Sequence, residues 1–223
     1  MRLAYSGLHV LADDDERWKL DPLSQARAAC AGGAHVIQLR VKHAGDAQAL
    51  EWALAIRELT RDCGAAFVVN DRFDLALASG ADAVHLGQGD LPPDRIPELA
   101  RKQLAVGYSI HTEEQAEAAR RLPLDYVAFG PVFGTRSKES EYDVRGLDAL
   151  KRVAKCVAPR PLVAIGGIHA GNLPDVLAAG AAGAAVISAV ADASDPVAAT
   201  RALAQLFRST ASTAPPPAEG TGA

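Results

Sequence analysis

Three polar residues close two short apolar runs that read as strands. Asn70 and Asp71 end Phe67–Val69, and Asp90 follows Ala83–Leu86 through Gly87 and Gly89. In a parallel sheet the two runs point the same way, with neighbours roughly 4.8 Å apart, so both carboxylates can share one cation. Mg²⁺ suits such a site, because it takes few carboxylates and completes its shell with phosphate oxygens and water. An Asn-Asp pair alone is also an ordinary turn; the second strand-end Asp favours the metal. His85, inside A-V-H-L-G, reads as a hydrogen-bonded core residue.

The stretch Q-L-R-V-K, residues 38–42, places Gln38, Arg40 and Lys42 on one strand face and Leu39 and Val41 on the other. Cations on an inward face are costly unless an anion meets them. They read either as ion-pair partners or as a phosphate or diphosphate clamp. In G-Y-S-I-H-T-E, residues 107–113, Ser109 and His111 share a face, and Thr112 suits a helix cap. Thr135, Ser137 and Lys138 follow a tight Gly-Pro exit and offer two hydroxyls and an ammonium to phosphate oxygens. Gly166-Gly167 lets backbone N–H groups approach an anion, and a helix start near Ser188 adds a positive dipole end. Two anion centres result, one for a metal-bound diphosphate and one for a monophosphate. No Ser-His-Asp or Cys-His arrangement stands out, so charge stabilisation rather than proton transfer is the expected chemistry.

These residues need a scaffold that brings strand ends together. Strands are expected near Gly7–Leu11, His35–Leu39, Ala66–Val69, Ala83–Leu86, Leu104–Val106, Tyr126–Phe129, Leu162–Ile165 and Ala184–Ile187. Helical patterns lie between them, near 22–32, 46–63, 72–79, 94–101, 113–121, 146–156, 172–179 and 194–208. Pro97 interrupts the fourth. Asp21-Pro22 and Asp195-Pro196 resemble capped helix starts, and Gly33, Gly64, Gly80 and Gly180 suit left-handed helix ends. Eight such units close most naturally as a single-domain (β/α)₈ TIM barrel over residues 1–208, with active residues at the carboxyl ends of the strands. An open doubly wound sheet fits less well, since no G-x-G-x-x-G follows the first strand. Residues 209–223, rich in Ser, Thr, Ala, Pro and Gly, read as a disordered tail.

The 223-residue chain is 49% hydrophobic but only 5% aromatic, so its core is built from Ala, Val, Leu and Ile. A net charge of −4 without a basic tract argues against a nucleic-acid partner. Cys30, Cys63 and Cys156 show no C-x-x-C spacing and read as free thiols. No signal peptide is legible, and no apolar run reaches the roughly 18 residues of a membrane span. The expectation is a soluble cytoplasmic protein with small-molecule partners and no membrane; a homo-oligomer is left open.

Taken together, Q-L-R-V-K, V-N-D-R-x-D-L-A-L-A-S-G-A-D-A-V-H-L-G-Q-G-D-L-P, G-Y-S-I-H-T, D-Y-V-A-F-G-P-V-F-G-T-R-S-K and V-A-I-G-G-I…V-I-S-A-V resemble the thiamine-phosphate synthase family over about residues 7–190. The resemblance implies a transferase that joins a hydroxymethylpyrimidine diphosphate to a thiazole phosphate and releases pyrophosphate. It assigns the pyrimidine diphosphate to Gln38, Leu39, Arg40, Val41, Lys42, Asn70, Ser109 and Lys138. Mg²⁺ would fall to Asp71 and Asp90, and the thiazole phosphate to Thr135, Arg136, Ser137, Gly167, Ile187 and Ser188. Arg40, Lys42, Lys138 and Ser109 would be the catalytic residues. The pyrimidine amino group can push electrons as the CH₂–O bond breaks, and the thiazole nitrogen already carries a lone pair, so no general base is required.

Two departures are visible. The family's T-x-T-K is Thr135-Arg136-Ser137-Lys138 here, which keeps the hydroxyl. The family's Thr-Asp ending of strand one is replaced by L-A-D-D-D-E-R, which reads as a solvated acidic loop. The competing functions are a thiazole tautomerase, an isomerase on the same fold, and a non-catalytic barrel that binds thiamine phosphate. Tautomerases tend to lack parts of the diphosphate clamp that is present here.

Overall fold

The computed structural model describes residues 5–135, 137 and 142–211. Eight parallel strands close on themselves in chain order. They are β1 (Gly7–Asp13), β2 (Val36–Arg40), β3 (Ala66–Asn70), β4 (Ala83–Leu86), β5 (Ala105–Ile110), β6 (Tyr126–Phe129), β7 (Leu162–Ile165) and β8 (Gly183–Val186). β8 returns to β1 with Gly183 opposite Gly7, so no edge is left unpaired. The helices are α1 (Pro22–Gly32), α2 (Asp46–Cys63), α3 (Phe73–Ser79), α4 (Glu98–Arg101), α5 (Glu113–Ala119), α6 (Gly146–Val157), α7 (Leu173–Ala178), α8 (Ser188–Ala191) and α9 (Pro196–Ala211).

Local chemistry explains where these elements begin and end. Asp21 accepts from Ser24 N at 2.7 Å with Pro22 at the first turn of α1, and Asp195 accepts from Ala198 N at 2.9 Å. Gly33, Gly64, Gly80 and Gly180 are left-handed after the helices they end. Pro97 splits the expected fourth helix into a 3₁₀ turn, Pro93–Arg95, and the four-residue α4. The last helix runs to Ala211, three residues past the expected boundary; residues 212–223 lie outside the described residues.

Strand alternation sorts side chains into two layers. Leu39, Val69, Val84 and Val106 face outward into the main core beneath the helices. Leu11, Val36, Val68, Tyr126, Val163 and Ile187 point into the barrel. Tyr126 dominates that interior, with Tyr5 stacked on it at 5.0 Å between ring centroids. Gly107 on neighbouring β5 makes room for it, because a Cβ there would lie 2.1 Å from Tyr126 Cζ. This scarcity of large side chains lets one tyrosine cross the barrel.

Candidate active site

The ends of β2, β3 and β4 bring Lys42, Asp71 and Asp90 together. Lys42 Nζ lies 2.5 Å from Asp71 Oδ2. Asp71 adopts φ 65°, a region that non-glycine residues rarely occupy, and its N–H donates to His85 O at 2.7 Å. Such backbone strain is typical of functional positions. Asp90 turns back so that its Oδ2 accepts from Gly87 N at 2.6 Å. Burial, followed by contact with the Asp71 carboxylate, holds the Asp90 carboxyl above the usual range, and the Gly87 N–H and Lys42 only partly offset this. Two carboxylates pressed together are the arrangement that a cation relieves. Among the described residues no group of three or more His, Cys, Asp or Glu side chains forms a metal cluster. Two adjacent carboxylates are a donor set that a hard dication can complete with phosphate oxygens and water.

Arg40 is held differently from the simple clamp expected of it. Its Nη1 donates to Asp13 Oδ2 at 2.6 Å, and the Asp13 side chain is fully buried. Asp13 also accepts from Trp18 Nε1 at 3.1 Å and Asp15 N at 2.9 Å. Asp14 collects the backbone N–H groups of Lys42, His43 and Ala44 at 2.7, 2.9 and 2.8 Å. Burial works to raise the Asp14 carboxyl, but those three donors outweigh it and hold it below the usual range. The expectation of a solvated acidic loop is thus corrected. β1 extends through Asp13, and the acidic run clasps the exit of β2. A guanidinium carries five donors, so the Asp13 pair fixes its plane while leaving donors for an anion.

Inside the mouth a chain of hydrogen bonds crosses the barrel. The buried Tyr126 hydroxyl lies 3.0 Å from His85 Nδ1, and His85 Nε2 lies 2.9 Å from Ser109 Oγ. His85 is the hydrogen-bonded core residue expected of it. Leu39 and Val41 face the outer core, so contact with a ligand at the mouth would have to run through their backbone. Asn70 pairs in register with His85 at the end of β3.

Across the mouth, Ser109, His111, Thr135, Ser137, Gly167, Ile187 and Ser188 line one pocket. Ser137 Oγ donates to Ser188 Oγ at 2.9 Å, joining the loop after β6 to the start of α8. Gly167 has φ 63°, and a Cβ there would lie 2.5 Å from Gly134 O, so two loops meet backbone to backbone. His111 stacks on Tyr142 at 4.0 Å and its Nδ1 lies 2.6 Å from Gly130 O. Arg136 and Lys138 lie outside the described residues. A cavity of about 830 Å³ lies at the opposite end of the barrel, around Tyr5, Arg57, Asp82, Arg101, Asp125 and Arg160. It is far from this cluster, and the position of the polar strand-end residues outweighs cavity size in locating the site.

Asp13, Asp14 and Tyr126 were missed as parts of the site. Extending the alternation His9, Leu11, Asp13 by one step would have placed Asp13 on the inward face beside Arg40.

Comparison with known proteins follows the same geometry. Residues 8–190 match the family described as thiamine monophosphate synthase. A thiamine-phosphate synthase of Methanoculleus marisnigri is 49% identical over 196 residues, covering 88% of this chain and 92% of that protein. Another, of Methanocella arvoryzae, is 46% identical, covering 88% and 92% respectively. The solved thiamine phosphate pyrophosphorylase of Pyrococcus furiosus superposes with a TM-score of 0.81 at 37% identity, covering 91% of this chain and 96% of that one.

Proposed function

The chain belongs to the thiamine monophosphate synthase family, and from that membership we propose how it works. It condenses 4-amino-2-methyl-5-(diphosphooxymethyl)pyrimidine with a thiazole ethyl phosphate, giving thiamine phosphate and pyrophosphate, with Mg²⁺ held by Asp71 and Asp90. One observation carries the reading. Asp71 and Asp90 sit side by side beside Lys42 at adjacent strand ends, an arrangement that a bound cation would relieve.

Lys42 and Arg40 face the departing diphosphate with positive charge that Asp71 and Asp13 hold in place. Such preorganised charge lowers the barrier without reorganisation at the moment of bond breaking. When bound, Mg²⁺ would neutralise charge on the leaving diphosphate. Gln38, Asn70 and Ser109 would orient the pyrimidine, with Ser109 Oγ steered by His85. Thr135, Ser137, Ser188 and the backbone at Gly167 and Ile187 would seat the thiazole phosphate. Lys138 and Arg136 keep the roles that the family resemblance gives them. The thiazole nitrogen attacks through its own lone pair, so no side chain has to remove a proton.

The test is a coupled assay of the purified full chain with the pyrimidine diphosphate, the thiazole phosphate and Mg²⁺. Pyrophosphate should appear only when all three are present. Turnover of a thiazole carboxylate phosphate with no pyrimidine added would point instead to a tautomerase. Tight binding of thiamine phosphate without turnover would point to a non-catalytic barrel.

A further inference from the structure

The C-terminal ends of α1 and α2, remote from the site, bring two thiols together. Cys30 sits in the last turns of α1, and Cys63 is the final residue of α2. They are 33 residues apart in the chain, yet their Sγ atoms lie 2.7 Å from each other. That is longer than the roughly 2.05 Å of a covalent S–S bond and shorter than an ordinary contact between two sulfurs. α1 and α2 pack side by side, so both helix backbones fix this approach. The two thiols also differ in access, since Cys63 is exposed and Cys30 is half-buried.

We propose that Cys63 is a thiol–disulfide exchange site for low-molecular-weight disulfides and that Cys30 is its resolving thiol, the product being a Cys30–Cys63 disulfide. In the first step the Cys63 thiolate attacks one sulfur of the small disulfide. A Cys63–S–S–R bond forms, the R–S–S–R bond breaks, and one RS⁻ leaves and takes up the proton released by Cys63. In the second step Cys30 attacks Cys63 Sγ. The Sγ–SR bond breaks, the protein disulfide forms, and the second RSH leaves with the proton from Cys30. The small disulfide is reduced to two thiols and the two protein thiols are oxidised, so atoms and electrons balance.

The order of the steps follows from exposure. Burial, and then the neighbouring Cys63 thiol, push the Cys30 thiol far above its ordinary range, so it is a poor first nucleophile. Once Cys63 carries the mixed disulfide, Cys30 already lies against the sulfur it must attack. Exchange requires the attacking sulfur to reach its target sulfur. Cys156, on α6, donates a hydrogen bond to Glu117 Oε2 at 3.4 Å and takes no part.

The experiment treats the reduced full chain with oxidised glutathione, then alkylates the remaining thiols and reads intact mass and non-reducing peptide maps. The expected product has lost two hydrogens, carries one alkyl group on Cys156, and shows residues 30 and 63 in one linked peptide. It should also melt at a higher temperature than the reduced chain, because the link closes a 33-residue span in the unfolded state. Cys30→Ser should stop at a stable glutathione adduct on Cys63, and Cys63→Ser should form no internal link. A wild-type chain that still alkylates at all three thiols would overturn the proposal. So would one that keeps glutathione on Cys63 with Cys30 free, or a link that includes Cys156. The wild-type mass alone decides the matter if either variant folds poorly.

Discussion

Arg40 Nη1 and Asp13 Oδ2 lie 2.6 Å apart across the register pair that joins the ends of β1 and β2. The carboxylate is fully buried, and the arginine side chain keeps only about an eighth of its surface exposed. Removing one partner of such a pair leaves an uncompensated charge, which is far costlier than the net worth of the pair. The arrangement makes Arg40 a structural element of the barrel as well as a proposed clamp for the diphosphate.

Asp13→Ala should therefore destabilise the chain by about 3 kcal/mol, the scale for an orphaned buried charge. It should also raise KM for the pyrimidine diphosphate, because Arg40 loses its fixed plane. Asp13→Asn keeps an acceptor for Trp18 Nε1 and should be milder in stability. Urea unfolding of both variants measures the first effect. Equal stability of Asp13→Ala and the parent chain would show that the pair contributes nothing.

Asp71 and Asp90 are the paired carboxylates, and Asn in either place removes a charge while keeping the shape. Each substitution should lower Mg²⁺-dependent pyrophosphate release by roughly 100-fold, as does loss of one preorganised electrostatic group elsewhere. Excess Mg²⁺ should recover part of that loss if weakened metal affinity is the cause. Full activity in both variants would remove the metal reading altogether.

Gly107 lies directly against the Tyr126 ring inside the barrel. Gly107→Ala places a methyl 2.1 Å from Tyr126 Cζ and 2.4 Å from its hydroxyl oxygen, with backbone fixed on either side by β4 and β6. The tyrosine must move and release its contact with His85 Nδ1. Overpacking of this kind costs roughly 1–3 kcal/mol, and kcat should fall with it because Ser109 loses its support. Combining Gly107→Ala with Tyr126→Leu should restore part of the packing loss, so the two effects should not add. Additive losses would mean that the ring and the glycine are not coupled.

How much of this could be read beforehand depended on how local the cause was. β4, β6 and β7 were legible to the residue because their apolar runs end abruptly at Gly or polar residues. β5 ran four residues past its expected end, since Gly107, Tyr108 and Ser109 lack a continuous apolar signal. The strand-end positions of Asp71 and Asp90 followed from the β3 and β4 runs. The burial of Asp13 did not, because its partner lies 27 residues away and only strand pairing brings the two together. The Cys30–Cys63 approach was hidden for the same reason. Each missed feature depends on contacts between units, which periodicity within one unit does not encode.

His9, on the inner face of β1, is 1% exposed, and its Nε2 lies 3.2 Å from Tyr5 O. Burial, only partly offset by that backbone contact, pushes its pKa from 6.5 down to about 4. A base with a depressed folded pKa binds fewer protons folded than unfolded between those two values. Stability from the neutral ring is therefore complete above pH 6.5 and is lost as pH falls towards 4. Between pH 7 and pH 5 the loss should be about 2 kcal/mol for this group alone, by proton linkage. His35, also lowered by burial and then by Arg208, adds a smaller loss of the same sign. Urea unfolding at the two pH values should show a shallower decline in His9→Gln than in the parent chain. If the two declines match, the buried His9 ring is not what makes the barrel sensitive to acid.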